Sequence, residues 1–134
     1  MQLFDYSTKL PRGQGELILV VDDEAAICEV AKTMLETCDY RVLTANDGID
    51  AIALYTHHQQ EISAVLIDMM MPSMDGITCI RTLQAINPQV KIIIMSGLLS
   101  SEDLANATKY GIQAFLPKPF TSEELATTVN RVLG

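Results

Sequence analysis

Acidic residues directly follow apolar runs at two places in this sequence. Asp22 and Asp23 come after the run 17–21, and Asp68 comes after the run 64–67. Three carboxylates that converge in a partly buried cleft repel one another, and a bound cation relieves that repulsion. A hard divalent ion with oxygen ligands suits such a set, and Mg2+ suits a site with room for water and phosphate oxygens. The three acids therefore indicate a magnesium site.

Two further polar side chains stand at the ends of later apolar runs. Ser96 ends the run 91–96, and Lys118 follows the run 113–117. A phosphoryl group spreads negative charge over several oxygens, which a metal ion, an ammonium group and a hydroxyl donor together balance. The combined set of acids, ammonium and hydroxyl therefore indicates phosphoryl transfer.

The elements that must position these side chains are five short apolar runs that alternate with segments of helical spacing. The runs are residues 17–21, 41–45, 64–68, 91–96 and 113–117. Apolar residues of the first intervening segment lie on one predicted helical face: Ile27, Val30, Ala31, Met34, Leu35 and Cys38. Strands that are apolar on both faces and alternate with helices form a parallel sheet covered by helices on each side. The pattern predicts an α/β fold, a doubly wound (βα)5 sheet with its site beyond the carboxyl ends of the strands.

Polar residues mark where several helices begin. Asp47, Asp75 and Ser100 are predicted to cap the second, third and fourth helices, and Thr121 and Glu124 have the spacing of a capping box before the last.

Length and composition bound the organisation of the chain. Its 134 residues, 49% of them hydrophobic, fit one compact domain with a substantial core. Residues 1–15 are mixed and polar, and Pro11, Gly13 and Gly15 interrupt any regular helix or strand. We predict that these residues form an arm or linker before a domain of residues 16–134.

Charge and cysteine usage exclude several classes of partner. The formal net charge of −8 argues against binding nucleic acid or an anionic membrane, which require a basic patch. Cys28, Cys38 and Cys79 show no CxxC spacing, which favours buried thiols in a reducing, cytoplasmic compartment. No segment approaches the roughly 18 apolar residues of a membrane span, so no membrane insertion is predicted.

Four short motifs together carry a family resemblance. The stretches VVDDE, DMMMPSMDG, MSG and KPF, in this order, resemble the receiver domain of two-component response regulators over residues 17–133. The resemblance implies the flavodoxin-like receiver fold. It also implies a phosphoacceptor that takes a phosphoryl group from a histidine kinase or phosphotransfer domain. Such a domain assists its own phosphorylation and dephosphorylation, and is a signalling module rather than an enzyme.

The resemblance implies a role for each residue of the site. Asp68 is the expected phosphoacceptor. Asp23, Asp68 and the backbone carbonyl of Met70 are the expected direct ligands of Mg2+, and Asp22 is expected to assist mainly through water.

It also implies the groups that contact the phosphoryl oxygens. Lys118 and Ser96 are expected to do so, and Phe115 is expected to couple its side-chain rotamer to Ser96 as a switch. The peptide bond between Lys118 and Pro119 is expected to be cis. Pro72 and Gly76 are expected to support the loop that follows the phosphoacceptor.

Partners follow from the same resemblance. A downstream protein is expected to bind the face formed by the fourth helix, fifth strand and fifth helix, roughly residues 100–134 with Leu104, Tyr110 and Phe115. A homodimer on phosphorylation is a further expectation. The start LPRGQGELILVVDDE resembles the joint before receivers at the C-terminal end of hybrid histidine kinases, with a free-standing regulator as the alternative.

Three rival functions share parts of this pattern. A haloacid-dehalogenase-like phosphatase carries its nucleophile after the first strand in a DxD pattern, whereas the isolated acid here follows the third strand. An FMN binder with the same sheet requires a phosphate loop after the first strand, where this chain is acidic. A receiver-like interaction module should lack one of the key residues, and none is missing.

The side chains of Met70 and Leu98, next to the site, are both apolar and cannot readily orient a water molecule for hydrolysis. They therefore predict a long-lived phosphoryl group.

Overall fold

A computed structural model describes residues 10–71, 74–97 and 100–134. Pro72 and Leu98, which the sequence singles out, lie outside the described residues. The strands are β1 Leu17–Val21, β2 Arg41–Ala45, β3 Ile62–Asp68, β4 Ile92–Ser96 and β5 Ala114–Pro117. The helices are α1 Ala25–Thr37, α2 Gly48–His58, α3 Gly76–Ile86, α4 Ser101–Lys109 and α5 Ser122–Leu133. The predicted alternation of five strands and five helices is confirmed.

All five strands lie parallel in one sheet with the order β2-β1-β3-β4-β5. The chain leaves β1 toward β2 on one side and then continues from β3 outward on the other, as in a doubly wound sheet. The predicted flavodoxin-like (βα)5 fold is confirmed. Val21 pairs with Ile67, so the acids that directly follow these residues emerge side by side.

Both faces of the sheet are covered by helices. One hydrophobic cluster combines alternate residues of β1, β3 and β4 with α2, α3 and α4. The other cluster combines the intervening residues with α1 and α5. Burial of both faces explains why β1, β3 and β4 read as continuous apolar runs, and it makes these strands a rigid base for the residues at their ends. The three cysteines are buried and free, as predicted.

The buried face of α1 differs from the predicted one at two residues, because it includes Cys28 and excludes Val30. Cys28, Ala31 and Leu35 are its buried residues, and Val30 is 47% exposed. Val30 lies roughly 200° around the helix from Cys28, because successive residues are about 100° apart. The prediction that Val30 belongs to the core face was therefore wrong.

The predicted helix caps are formed at three helices. Asp47 accepts a hydrogen bond from the backbone N–H of Asp50 at 2.7 Å at the start of α2. Asp75 accepts one from Thr78 at 2.8 Å at the start of α3. Both hydrogen bonds of the predicted capping box open α5. The helix α4 begins at Ser101, and the capping role of Ser100 stays a prediction.

We expect Asp75→Ala to lower the free energy of unfolding by about 1 kcal/mol at pH 7, because Thr78 loses the acceptor for its N–H. Hydrogen bonds from Thr78 hold the pKa of Asp75 below 3.8. A lowered folded pKa means that the cap contributes fully above pH 3.8, and the contribution is lost as the pH falls through the folded pKa. Urea unfolding at a series of pH values measures the difference from wild type, which should shrink in acid.

Asp75→Ser provides the control for this prediction, because serine keeps a capping oxygen that does not titrate. Its stability should stay close to that of wild type at pH 7. A stability difference between wild type and Asp75→Ala that is the same at pH 7 and in acid contradicts the prediction.

Residues 10–15 contact the domain directly. The N–H groups of Gly13 and Gly15 donate to the carbonyls of Cys38 and Asp39, at 2.7 and 2.8 Å. A Cβ atom on Gly13 would lie 2.4 Å from the ring of Tyr40, so this glycine is required by close packing. These glycines therefore do more than interrupt regular secondary structure. The described part of the arm packs against the turn that follows α1.

Candidate functional site

The polar residues at the strand ends converge at one edge of the sheet. Because the strands are parallel, their carboxyl ends open on the same side. An open hollow of about 320 Å³ at this edge is lined by Asp23, Glu24, Asp68, Met70, Ser96, Gly97 and Lys118. The sequence singled out five of these seven residues for the site. The structure therefore brings together side chains that lie up to 95 positions apart in the chain.

Three carboxylates form the acidic part of the site. One oxygen from each of Asp22, Asp23 and Asp68 lies within 4.8 Å of the others. Asp22 is fully buried and Asp68 is 4% exposed, whereas Asp23 is exposed to solvent. This oxygen-only donor set, open to solvent on one side, fits a hard divalent cation that keeps some of its water.

Lys118 is the cation that this structure places among the acids. Its Nζ donates to Oδ2 of Asp22 at 2.6 Å and to Oδ2 of Asp68 at 3.4 Å. Burial acts to lower the pKa of Lys118, but the hydrogen bonds and charges of the two acids outweigh it and raise the pKa above its usual value. The ammonium group therefore stays charged and offsets part of the repulsion among the carboxylates.

Asp68 is held through both carboxylate oxygens. Its Oδ1 accepts a hydrogen bond from the backbone N–H of Met70 at 3.1 Å, and its Oδ2 faces Lys118. Burial is the largest influence on the pKa of Asp68 and raises it; the Met70 N–H and Lys118 oppose that rise. These contacts fix the direction of a carboxylate that is almost fully enclosed.

The loop after Asp68 depends on a close backbone approach. A Cβ atom on Gly76 would lie 2.6 Å from Cα of Met69 and 3.0 Å from the carbonyl oxygen of Asp68. The N–H of Gly76 also donates to the carbonyl of Met69 at 3.1 Å. Glycine supports this loop through its lack of a side chain, which adds a physical reason to its predicted role.

The remaining predicted site residues lie around the hollow. Ser96 is buried at the end of β4, and the side chain of Met70 is 65% exposed at the rim. Phe115 is half-buried and packs against the hydrophobic cluster that contains α2, α3 and α4. The peptide bond between Lys118 and Pro119 is cis, as predicted. The roles of Ser96 and Phe115 in switching, and of the Met70 carbonyl in metal binding, stay predictions.

Sequence reasoning missed two residues beside Asp22. The N–H of Glu24 donates to Oδ1 of Asp22 at 2.9 Å, and Asn46 Nδ2 donates to the Asp22 carbonyl at 3.3 Å. Asn46 directly follows β2, so it is a polar residue at a strand end, the same signal that identified Ser96 and Lys118. Its contact spans 24 residues and has no periodic signature in the sequence.

No helix among the described residues has the length and apolar character needed to cross a membrane.

Comparison with known protein families gives one match over most of the chain. A family model described as the response regulator receiver domain matches residues 18–130. Sensor kinase CckA of Brucella abortus is 34% identical over 116 residues, which cover 87% of this chain and 12% of that protein. The transcriptional regulatory protein ZraR of Escherichia coli is 34% identical over 117 residues, covering 87% of this chain and 26% of that protein. The chain spans about a quarter or less of these relatives.

Solved structures share the fold closely. A response regulator receiver domain protein from Clostridium thermocellum superposes with a TM-score of 0.83 at 32% identity, covering 87% of this chain and 93% of that one. The structure described as a CheX-CheY-BeF3-Mg complex from Borrelia burgdorferi gives a TM-score of 0.84 at 26% identity, covering 97% of this chain and 95% of that one.

Proposed function

This chain belongs to the response regulator receiver domain family, and from that premise we propose that Asp68 accepts a phosphoryl group from a phosphohistidine in a Mg2+-dependent reaction. The donor is a histidine kinase or a phosphotransfer domain. The chain is thus a receiver domain of a two-component system, a signalling module. The observation that carries the proposal is the enclosure of Asp68 beside Lys118 and two further acids at one edge of the sheet.

The proposed reaction is a displacement at phosphorus. A carboxylate oxygen of Asp68 attacks the phosphorus atom, the bond from phosphorus to the imidazole nitrogen breaks, and the electron pair stays on the imidazole. Lys118 and Ser96 bind phosphoryl oxygens and offset their charge. Lys118 Nζ lies 3.4 Å from Oδ2 of Asp68 before the reaction. It is therefore close enough to bind an oxygen of the phosphoryl group once that group is attached to Asp68.

We propose that Asp23, Asp68 and the Met70 carbonyl bind Mg2+ directly and that Asp22 assists mainly through water. When bound, Mg2+ supplies positive charge that screens the acids and stabilises the oxygens of the transferred group. The oxygen donors of the three carboxylates lie close enough together to share one ion. The similar Borrelia burgdorferi complex contains BeF3 and Mg2+, which supports the same chemistry in this chain.

The signal is proposed to pass to a protein partner through α4, β5 and α5. Phe115 lies in β5, the strand that pairs with β4, and β4 ends in Ser96. Phe115 also lines an open hollow of about 320 Å³ together with Pro117, Glu123 and Thr127. Phosphorylation biases a pre-existing equilibrium in which Ser96 and Phe115 move together and reshape this face. A downstream protein binds the reshaped face, and a second phosphorylated copy of the chain is the alternative occupant.

The parent protein is proposed to be a hybrid histidine kinase, and a free-standing regulator is the alternative. Relatives of similar identity include both a sensor kinase and a transcriptional regulatory protein. The family match sets aside the phosphatase and FMN-binding alternatives. An interaction module without phosphoryl chemistry is distinguished by experiment.

The experiment is phosphorylation by a small donor with intact-mass detection. The protein is incubated with phosphoramidate in the presence of Mg2+ or of EDTA, and its mass is recorded over time. The proposal predicts one added phosphoryl group with Mg2+ and little or none with EDTA. A folded protein that gains no phosphoryl group with Mg2+ contradicts the proposal and identifies an interaction module.

A second prediction concerns the lifetime of the phosphoryl group. The Met70 side chain is apolar and 65% exposed at the rim of the hollow, so it offers no strong hydrogen bond to orient an attacking water. We expect Met70→Asn to accelerate loss of the phosphoryl group by roughly tenfold, less than the roughly 10²–10⁴-fold of a positioned general acid or base, because an amide only orients the water. The measurement is the decay of the phosphorylated mass after the donor is removed.

Met70→Leu is the matched control, because it keeps an apolar side chain of similar size. Its decay rate should equal that of wild type. Equal decay rates for the asparagine and leucine variants contradict the prediction.

A further inference from the structure

Asp22 is fixed by its side chain and by its own N–H. Its N–H donates to the carbonyl of Ala45 at the end of β2, at 3.1 Å. Its Oδ1 accepts from the N–H of Glu24 and its Oδ2 accepts from Lys118. The Glu24 bond spans the peptide group that follows Asp22 and restrains it in part, but none of these three bonds engages the carbonyl oxygen of that peptide.

Two side chains hold that following peptide group. Asn46 Nδ2 donates to the carbonyl oxygen of Asp22 at 3.3 Å, and Sγ of Cys28 donates to the same oxygen at 3.4 Å. Asn46 Nδ2 also lies 3.8 Å from Cys28 Sγ, so the loop after β2 and the first turns of α1 meet at this carbonyl.

The held carbonyl belongs to the peptide group between Asp22 and Asp23. A peptide group is planar, so the direction of its carbonyl also fixes the direction in which the next Cα leaves. Asp23 is exposed to solvent, and its placement therefore depends strongly on its main chain. A rotation of this peptide would carry the Asp23 carboxylate away from Asp68.

We propose that Asn46, assisted by Cys28, is a positioning residue for the cation site. It holds the peptide between Asp22 and Asp23 so that the Asp23 carboxylate faces Asp68. This inference rests on the Mg2+ site of the proposed function. Groups that orient metal ligands without touching the metal commonly govern metal affinity. Asn46 does so here from the position that directly follows β2.

The test is Mg2+ binding to the unphosphorylated protein, measured by isothermal titration calorimetry. We expect Asn46→Ala to raise the Kd for Mg2+ about three- to tenfold, the loss expected from one hydrogen bond. The control is Ile49→Ala, a variant in the loop and first turn after β2 whose side chain is 61% exposed, and its Kd should match that of wild type. Equal Kd values for the two variants overturn the proposal.

A second measurement separates positioning from general loss of structure. With saturating Mg2+, phosphorylation of Asn46→Ala by phosphoramidate should return to within about twofold of wild type, because the lost hydrogen bond lowers ligand affinity and not the reactivity of Asp68. A rate that stays low at saturating Mg2+ overturns a role limited to positioning. Thermal unfolding with EDTA checks that the variant folds.

Cys28→Ser provides the conservative replacement. Serine keeps a hydrogen donor next to the Asp22 carbonyl, so its Kd for Mg2+ should stay within about twofold of wild type. A rise in the Kd as large as that of Asn46→Ala would overturn the proposal that Cys28 assists Asn46 by donating a hydrogen bond to the Asp22 carbonyl. Calorimetry also separates the two proposals: wild type that binds Mg2+ but gains no phosphoryl group refutes the proposed function alone, whereas wild type that binds no Mg2+ refutes the positioning role.

Discussion

Asp68→Asn should abolish phosphorylation of this chain by phosphoramidate, with the rate of adduct formation lowered at least about a thousandfold, which corresponds to about 4 kcal/mol of transition-state stabilisation. The amide oxygen of asparagine is a far weaker nucleophile than a carboxylate oxygen, so the attack on phosphorus is lost. The side chains have nearly the same shape, and the asparagine oxygen still accepts the Met70 N–H, so the fold should persist. The measurement is intact mass over time with Mg2+ present.

The control for this substitution is Asp75→Asn. Asp75 lies in the same loop and caps α3, and asparagine caps a helix about as well as aspartate does. Its phosphorylation rate should therefore match that of wild type. A phosphoryl adduct on Asp68→Asn that forms at a comparable rate would show that the acceptor is another residue.

Lys118→Met should produce the largest loss of stability among the substitutions considered, about 3–5 kcal/mol in EDTA, the range for removing one partner of a buried ion pair. Asp22 is fully buried and lies 2.6 Å from the Lys118 ammonium, so the substitution leaves a buried carboxylate without its counter-charge. Urea unfolding at pH 7 measures the effect. Added Mg2+ should restore part of the loss, because a bound cation replaces the missing positive charge.

Lys109→Met is the matched control, since Lys109 is an exposed lysine in the last turn of α4. Its effect should stay within about 0.5 kcal/mol, as for most surface substitutions. If the two lysine variants unfold with the same free energy, the ion pair between Lys118 and Asp22 does not stabilise the protein. If Mg2+ does not raise the free energy of unfolding of the Lys118→Met variant, then no bound cation offsets the charge of the acid cluster.

The fold was predictable because its sheet is buried on both faces. Buried parallel strands under helices are apolar along their whole length, so Leu17–Val21 was located to the residue. The edge strand Arg41–Ala45 was also located to the residue, although it is only partly buried. β3 begins two residues before its predicted start, because Ser63 interrupts the apolar run although Ile62 already pairs with Leu17 of β1. The buried face of α1 was harder to predict, because this helix has more apolar residues than its buried face holds. The placement of Val30 on that face was therefore wrong.

The site was predictable to the extent that it follows from strand ends. A parallel sheet brings its carboxyl ends together, so polar residues after apolar runs, such as Asp68 and Lys118, identify the site without any contact information. Asn46 directly follows β2 and carried the same signal, but its contact with the Asp22 carbonyl could not be predicted, nor could the packing of Gly13 on Tyr40. Each joins segments more than 20 residues apart, and only the folded chain brings them together.

The central claim is that Asp68 carries the phosphoryl group, and the most direct measurement locates that group in the chain. The protein is phosphorylated with phosphoramidate and Mg2+, reduced with borohydride, digested and sequenced by tandem mass spectrometry. Borohydride cleaves an acyl phosphate and converts the aspartate to homoserine. The account predicts homoserine at position 68 alone, dependent on both donor and Mg2+. Homoserine at another acidic residue, or a phosphoryl group that survives reduction, would contradict it.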